Sequence, residues 1–408
     1  MVRLGILMLT TVVSVLWNIA AMAQSPEEPA EATPVDSTLR VSVVTCYPGP
    51  EVFQLYGHTA IRVQYLDNDI VYNYGVFDFR EPNFVYRFVK GSVDYMLAAY
   101  PFDRFFVDYI YRDSKVVNQE LNISQEMAVD IVTRLEENLL PENRYYKYDY
   151  LYDNCSTRPR DIIENVIGET LQYAEPQDTA FTFRGIMRSY ESHYPWQSFG
   201  IALALGGEID KPIPYHDTFF APLFLMDALG KATYVDAQGE RVSLVKSTEV
   251  VLDGPDEGSI LENTPAYLTP LAFALLVLLI SVCVTIYSVK HNRVMRGFDA
   301  ALFSLAGLAG CLIFFLIFIS RHSATSPNLV GLWLNPFYFI PVALYFIKGS
   351  QKFLYCYQYI NFALLLVLVL GGWCLPQYWD IAFYPLIIAL MVRQLNYIIY
   401  YRKNENYI

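Results

Sequence analysis

The sequence predicts an α+β domain built on an antiparallel sheet, followed by an all-α bundle of five transmembrane helices. Three observations carry this. The 408 residues are 54% hydrophobic and 16% aromatic, too apolar for an ordinary soluble protein. The longest apolar stretches fall after residue 266, where five runs come close to the ~20 residues that span a bilayer. Between residues 39 and 266, strand and helix periodicities alternate instead. The net charge of −12 argues against a nucleic-acid partner, which needs a basic patch. Six cysteines are too few and too scattered for a disulfide framework.

Arg3 and the apolar run from Leu4 to Ala21, ending in Ala21-Met22-Ala23, read as a cleavable export signal over residues 1–23. Residues 24–38, rich in Pro, Glu, Ala and Ser and without periodicity, read as a flexible linker. Within 39–266, Thr59, Ile61, Val63 and Tyr65 alternate with Ala60, Arg62 and Gln64 as a strand. Asp67-Asn68-Asp69 turns the chain, and Ile70, Tyr72, Tyr74 and Val76 continue as a second strand. Residues 116–123 predict another. Ser124 then caps a helix to about Leu140, with Ala128, Ile131, Val132, Leu135 and Leu139 on one face. Residues 145–152 form an aromatic approach to Cys155. After it, Ser156 and Thr157 are candidate caps of a helix whose first turn holds Pro159 and whose stop is Gly168. Ile162, Ile163, Val166 and Ile167 share its apolar face. Residues 233–251 resemble a hairpin turning near Gln238-Gly239.

The five apolar runs cover residues 267–289, 298–320, 329–347, 353–375 and 378–400. Lys290, Arg293 and Arg296 follow the first, Lys348 and Lys352 the third, and Arg402 and Lys403 the fifth. The positive-inside rule then puts the C-terminus in the cytoplasm. The α+β domain and the loops near His322 and Gln377 fall outside. Charge within the runs is sparse, and Arg393 is expected to snorkel to the cytoplasmic surface. That scarcity argues against a transporter.

Chemistry concentrates at two points. Cys155 opens a helix, where backbone N–H groups and the helix dipole favour a thiolate, the form in which cysteine is a nucleophile. A structural cysteine is the competing reading. His58 stands at the mouth of a strand directly after Gly57, which allows close backbone approach. The α+β domain offers only His58, His193 and His216 with Cys46 and Cys155, so a Cys–His pair has few candidates. No HExxH or CxxC spacing points to a metal, and no cofactor is expected. A Cys46–Cys155 disulfide, natural in an oxidising compartment, would disable Cys155; the two readings exclude each other.

A histidine on a strand followed by a cysteine at a helix start reverses the usual papain order. It resembles the circularly permuted papain-like group that includes lecithin:retinol acyltransferase and NlpC-type relatives, the match being Gly57-His58 and Asn154-Cys155. A closer resemblance is to the Lnb-type lipoprotein N-acyltransferases. It runs through Cys46-x-Pro-Gly-x-Glu, Tyr56-Gly-His-Thr-Ala-Ile-Arg, Tyr72-Asn-Tyr-Gly-Val-Phe-Asp-Phe and Asp153-Asn-Cys-Ser-Thr-Arg. It continues in His322, Asn328-Leu, Trp333-Leu and Asn335-Pro, which are similar to that family's first outer loop and third span.

The resemblance implies a permuted papain-like (NlpC-type) periplasmic catalytic domain over 39–266 and a five-helix membrane domain over 267–408, in the bacterial cytoplasmic (inner) membrane. The implied partners are a phospholipid acyl donor and a diacylated lipoprotein acceptor. The implied reaction runs through a thioester on Cys155, with His58 as base and acid. Asn73 or Asp78 would orient His58, and each equally suits a turn or sheet edge. Backbone N–H groups at the helix start would hold the oxyanion, with Asn154 and Ser156 as neighbouring candidates. Arg62, Arg158 and Arg160 are candidates to meet phosphate, against an ordinary fate in salt bridges. His322, Asn328 and Asn335 are candidates to line the substrate site, against a surface role. Two other classes compete: a membrane-tethered Cys peptidase or amidase acting on cell-wall peptide, and a non-catalytic receptor or scaffold. Five spans favour a lipid substrate, since one would anchor a wall enzyme.

Overall fold

In β1 (Arg40–Cys46) every residue after Arg40 is buried. Val41 and Val43 pack on one face of a sheet, Val44 and Cys46 on the other. A run so rich in β-branched residues fits a central strand covered on both sides. The computed structural model describes residues 38–177, 180–256 and 264–404. The expected export signal, and the linker up to residue 37, lie outside the described residues. Around β1 stands a seven-stranded antiparallel sheet. Its other strands are β2 (His58–Tyr65), β3 (Asn68–Val76), β4 (Asp94–Pro101), β5 (Val116–Leu121), β6 (Tyr145–Lys147) and β7 (Val245–Leu252), in the order β7-β5-β1-β2-β3-β4-β6.

Seven helices accompany the sheet: α1 (Phe84–Lys90), α2 (Phe102–Tyr111), α3 (Gln125–Leu139), α4 (Thr157–Ile167), α5 (Phe183–Tyr190), α6 (Pro195–Ala204) and α7 (Pro222–Lys231). Ile61, Val63, Tyr72 and Tyr74 join Val41 and Val43 in the main core, closed by Ala128, Ile131 and Leu135 of α3 and by Ile162 and Ile163 of α4. These are the apolar helix positions that the sequence displays at three- and four-residue spacing. Ser124 caps α3, its Oγ accepting from Met127 N at 3.2 Å. On the reverse face Phe102, Phe105 and Tyr109 of α2 cover Val44, Cys46, Ala60 and Val71. The α+β expectation holds. The expected hairpin over 233–251 is shorter: Thr233–Val235 pairs with Arg241–Ser243, and the chain then leaves to pair with β5 at the sheet edge. The fully buried Leu244 anchors that change of direction.

Among the described residues four helices, all beyond residue 264, are long and apolar enough to cross a membrane. They are α8 (Pro270–Lys290), α9 (Arg296–Phe318), α11 (Gln351–Gly371) and α12 (Phe383–Asn404), with the short α10 (Phe339–Leu344) between them. The expected third helix, over 329–347, is therefore corrected. That stretch forms two 3-10 turns, Leu329–Leu332 and Pro336–Tyr338, and then α10. Pro336 and Pro341 have no N–H to continue a helix. Asn328 and Asn335 each restart the chain, their Oδ1 atoms accepting from Val330 N at 3.0 Å and Phe337 N at 3.2 Å. Gly310 of α9 lets the break lie close, since a Cβ there would come within 2.3 Å of the Asn335 backbone. Irregular backbone is tolerated at membrane depth when protein covers it. Asn328 Oδ1 accepts from Gln377 Nε2 before the broken stretch, and Tyr397 OH donates to Gln351 O after it.

A second correction concerns Arg393. It does not snorkel: it is fully buried in α12, which lies between α8 and α11 and offers no path to the surface. Its Nε donates to Asp299 Oδ1 at 2.6 Å and its Nη1 to Thr285 Oγ1 at 2.6 Å. A buried guanidinium is tolerated only with such partners. Packing also crosses the expected boundary at residue 266. Ala202 of α6 belongs to the core of the helical half, Phe199 meets Phe383 at 5.6 Å, and Trp196 Nε1 donates to Leu268 O at 2.7 Å.

Candidate active site

The site forms where the starts of β2 and α4 meet. Gly57 has φ +80°, and a Cβ there would lie 2.6 Å from the Cys46 carbonyl oxygen. Only glycine lets β2 begin so close to the end of β1, with His58 opposite Cys46 in register. His58 is then fixed by its neighbour strand: Asn73 Oδ1 of β3 lies 2.6 Å from His58 Nε2. Asn73 Nδ2 donates to the Tyr100 hydroxyl of β4. With Nε2 donating to Asn73, Nδ1 is the ring nitrogen left for the hydrogen bond that His58 shares with Cys155.

Cys155 precedes α4, and the cap differs from expectation. Ser156 is already in helical backbone conformation, and its Oγ donates to Phe219 O at 2.7 Å. Asn154 caps instead: its Oδ1 accepts from Ser156 N at 2.7 Å and Thr157 N at 2.9 Å, while Thr157 Oγ1 accepts from Asn154 N at 2.8 Å. Two helix-start N–H groups are thereby occupied. The Cys155 N–H remains, directed at the Tyr148 hydroxyl at 3.4 Å. Gly75, at φ +90° in the bulge of β3 between Asn73 and Val76, clears the space. A Cβ there would reach 3.1 Å from the Tyr148 ring and 3.7 Å from Cys155 Cβ.

The electrostatics favour an ion pair. Burial, the largest influence on Cys155, pushes its thiol up, but the His58 charge and hydrogen bond, the Tyr148 hydroxyl and the Thr59 backbone together bring it below the ordinary thiol value. For His58, burial works against the charged ring, yet the Cys155 charge and hydrogen bond and the Asn73 contact raise it above the ordinary imidazole value. Each partner stabilises the other's charged form. Burial drives the Tyr148 phenol far up, so it keeps its proton. Cys46 is the contrast: burial pushes its thiol up to about 12, against the lowering effect of a Tyr109 hydrogen bond. In this structure Cys46 and Cys155 are both free thiols.

Other candidates are placed elsewhere. Asp78 is bound by Arg80 at the surface, so of the two expected orienting residues Asn73 alone meets His58. Asn154 and Ser156 hold the backbone, as above, and aim no side chain at Cys155. Arg62 pairs with Asp69 and covers the Phe102 ring, Arg158 pairs with Asp153 over Tyr146, and Arg160 pairs with Asp161. His322 joins the two halves: its Nε2 donates to Phe88 O at 2.8 Å, and its ring rests on Gly91 and faces Tyr150. Asn328 donates to Leu203 O, and Asn335 donates to Leu332 O. These three thus tie backbone together, and Tyr150 stands between His322 and Tyr148. Tyr148 and Tyr100 are the site residues that the sequence reading missed. The spacing of Tyr146, Tyr148 and Tyr150 is a period-two signal that puts Tyr148 on one face with the other two. Nothing comparable marks Tyr100.

No curated protein and no solved structure matches the chain. Family profiles do: the Lnb N-terminal periplasmic domain matches residues 31–189, and the Lnb transmembrane domain matches residues 262–404. The first match contains His58, Asn73, Tyr148 and Cys155; the second contains the four long apolar helices and the broken stretch 329–347. With both of its halves matched in order, the chain belongs to the Lnb-type family.

Proposed function

We propose that this chain is a lipoprotein N-acyltransferase, moving an acyl chain from a phospholipid to the α-amine of a lipoprotein's N-terminal diacylglyceryl-cysteine. The observation that carries the reading is the chain of hydrogen bonds from the buried Cys155 through the half-buried His58 to Asn73 in a member of this family. The Cys155 thiolate attacks the ester carbonyl, forming a C–S bond. The Cys155 N–H and the Tyr148 hydroxyl face the developing oxyanion. Imidazolium His58 then gives its proton to the departing lysophospholipid oxygen as the C–O bond breaks, leaving a thioester. In the second half the α-amine attacks the thioester carbonyl, His58 takes the amine proton, and the Cys155 thiolate leaves. Asn73 does not touch substrate; it holds the ring with Nδ1 toward sulfur.

In this reading the sheet half faces the periplasm from the bacterial inner membrane, and the C-terminus is cytoplasmic. Support comes from the far end of the bundle, where Asn292 bonds Asn404 and Arg402 bonds Tyr355, beside Lys290, Arg293 and Lys403. The test is mass spectrometry of a reporter lipoprotein's N-terminal peptide in cells with no other such enzyme. The wild-type chain adds one amide-linked acyl group there, and Cys155→Ala adds none. An N-acylated reporter with Cys155→Ala ends the reading.

A further inference from the structure

Away from Cys155, a groove of about 1010 Å³ lies between α1 of the sheet half and α9 of the helical half. Phe84, Val85, Tyr86 and Val89 line one side, Leu312 and Phe315 the other. α1 buries none of its residues, and Val85 is 73% exposed. A water-facing surface rarely holds out so apolar a helix. The groove prolongs the outward face of α9, where Leu305, Leu308 and Leu312 are all exposed at spacings that share one side. That is the side which lipid covers in a membrane-spanning helix.

Two cations lie next to the groove, Lys90 directly after the lining Val89 and Arg321 bonded to it through the backbone, while the acid among the lining residues, Glu81, is paired with Arg87. Arg321 N donates to Lys90 O at 2.9 Å, and the side chains of Lys90 and Arg321 form no ion pair among the described residues. Arg87, one turn earlier, is by contrast held by Glu81 and Asp94. From the groove floor, aromatic rings lead inward. Phe84 meets Phe77 at 5.7 Å, Phe77 meets Tyr95 at 5.0 Å, and Tyr95 stacks on Tyr148 at 4.5 Å, beside Cys155. An apolar track that starts at lipid, passes two cations without a carboxylate partner among the described residues (Lys90 lies over the Tyr86 ring, 5.6 Å from its centroid) and ends at a nucleophile fits one kind of occupant.

We infer that the groove between α1 and α9 receives the acyl chain of a membrane phospholipid and guides it toward Cys155, with the phosphate held by Lys90 and Arg321. The inference rests on the acyl-transfer reading. The acceptor's diacylglyceryl tails would match the apolar walls but bring no phosphate to the two cations.

The test compares two acyl donors on the full chain in detergent: phosphatidylglycerol in mixed micelles and a water-soluble butyrate ester, each scored by acyl-thioester on Cys155. A charge in the apolar groove, Val85→Glu, is expected to lower the ratio of phospholipid to soluble-ester acylation about tenfold or more. Val129→Glu, on the exposed face of α3, should keep the wild-type ratio. Independently, phosphatidylglycerol bearing a diazirine at its chain end is photolysed with the Cys155→Ala protein. Cross-links are expected in the peptides containing Val85 and Phe315, weakened by the double charge reversal Lys90→Glu, Arg321→Glu. A wild-type ratio for Val85→Glu, or cross-links confined to other peptides, overturns the inference while leaving acyl transfer intact. Groove cross-links in a protein whose Cys155 takes no acyl group from either ester support the lipid site and sink the transferase reading instead.

Discussion

Replacing Tyr148 by Phe isolates one hydroxyl with two partners. It accepts from the Cys155 N–H at 3.4 Å, and it shares a hydrogen bond with the Cys155 sulfur. If the hydroxyl is one of two oxyanion donors, its loss should cost about 3–4 kcal/mol of transition-state stabilisation, or a 10²–10³-fold fall in thioester formation. Loss of the sulfur contact should also raise the Cys155 pKa, because burial then has less opposing it. The two effects separate by assay. Alkylation of Cys155 forms no oxyanion and reports only the thiolate, whereas acylation by an ester reports both. At a pH where the thiol is fully ionised, alkylation should change little and acylation should fall by the full factor. Equal losses in both reactions would show that Tyr148 acts only through the thiol, and a fall in acylation below about tenfold would refute the oxyanion role.

Acyl-transfer rates should form a bell in pH. The acid limb follows Cys155, whose thiolate is lost as pH falls through its lowered value, and the alkaline limb follows His58, whose imidazolium is lost as pH rises through its raised value. His58→Ala should therefore slow alkylation of Cys155 at mildly acidic pH by about tenfold or more, since burial is then opposed only by the Tyr148 and Thr59 contacts; undiminished labelling would contradict the ion pair. Cys46→Ser should leave acyl transfer largely intact, and its loss in a folded protein would give Cys46 a role that its buried, protonated thiol does not suggest. Arg393→Met leaves Asp299 buried without its partner and should destabilise the protein by about 3–5 kcal/mol, read as a lowered midpoint of unfolding in detergent. The double variant Arg393→Met, Asp299→Leu should recover much of that loss. Reporter fusions should place Asn292 and Gly349 in the cytoplasm and Ser323 and Gln377 outside; a cytoplasmic Ser323 would contradict the docking of His322 on Phe88.

What the sequence displays depends on how local the physics is. The alternation in β2 and β3, the apolar face of α3 and the Ser124 cap each rest on residues within one turn or hairpin, and each is where the pattern puts it. His58 and Cys155 stand out because Gly57 and a helix start are local signals, and the fold brings the two into hydrogen-bond contact. Choosing Asn73 over Asp78 needed the register of β2 and β3, since both lie close to His58 along the chain. The cap was misread because Ser, Thr and Asn all suit such a position; only the backbone conformation at Ser156 selects Asn154. Hydropathy could not tell a helix from the broken stretch 329–347, because it weighs apolar content and ignores the two prolines and the close approach of Gly310. Arg393 misled for a related reason: its partner Asp299 lies in another helix, and distance along the chain hides the pair.

The central claim is that Cys155 carries the acyl chain between donor and acceptor. The most direct measurement is intact-protein mass spectrometry of the wild-type chain after incubation with phospholipid alone, followed by peptide mapping. The account predicts one acyl group on Cys155, removed by hydroxylamine as a thioester is and discharged when a diacylated lipopeptide is added. An enzyme that N-acylates the lipopeptide while no acyl adduct forms on Cys155 at any time contradicts it.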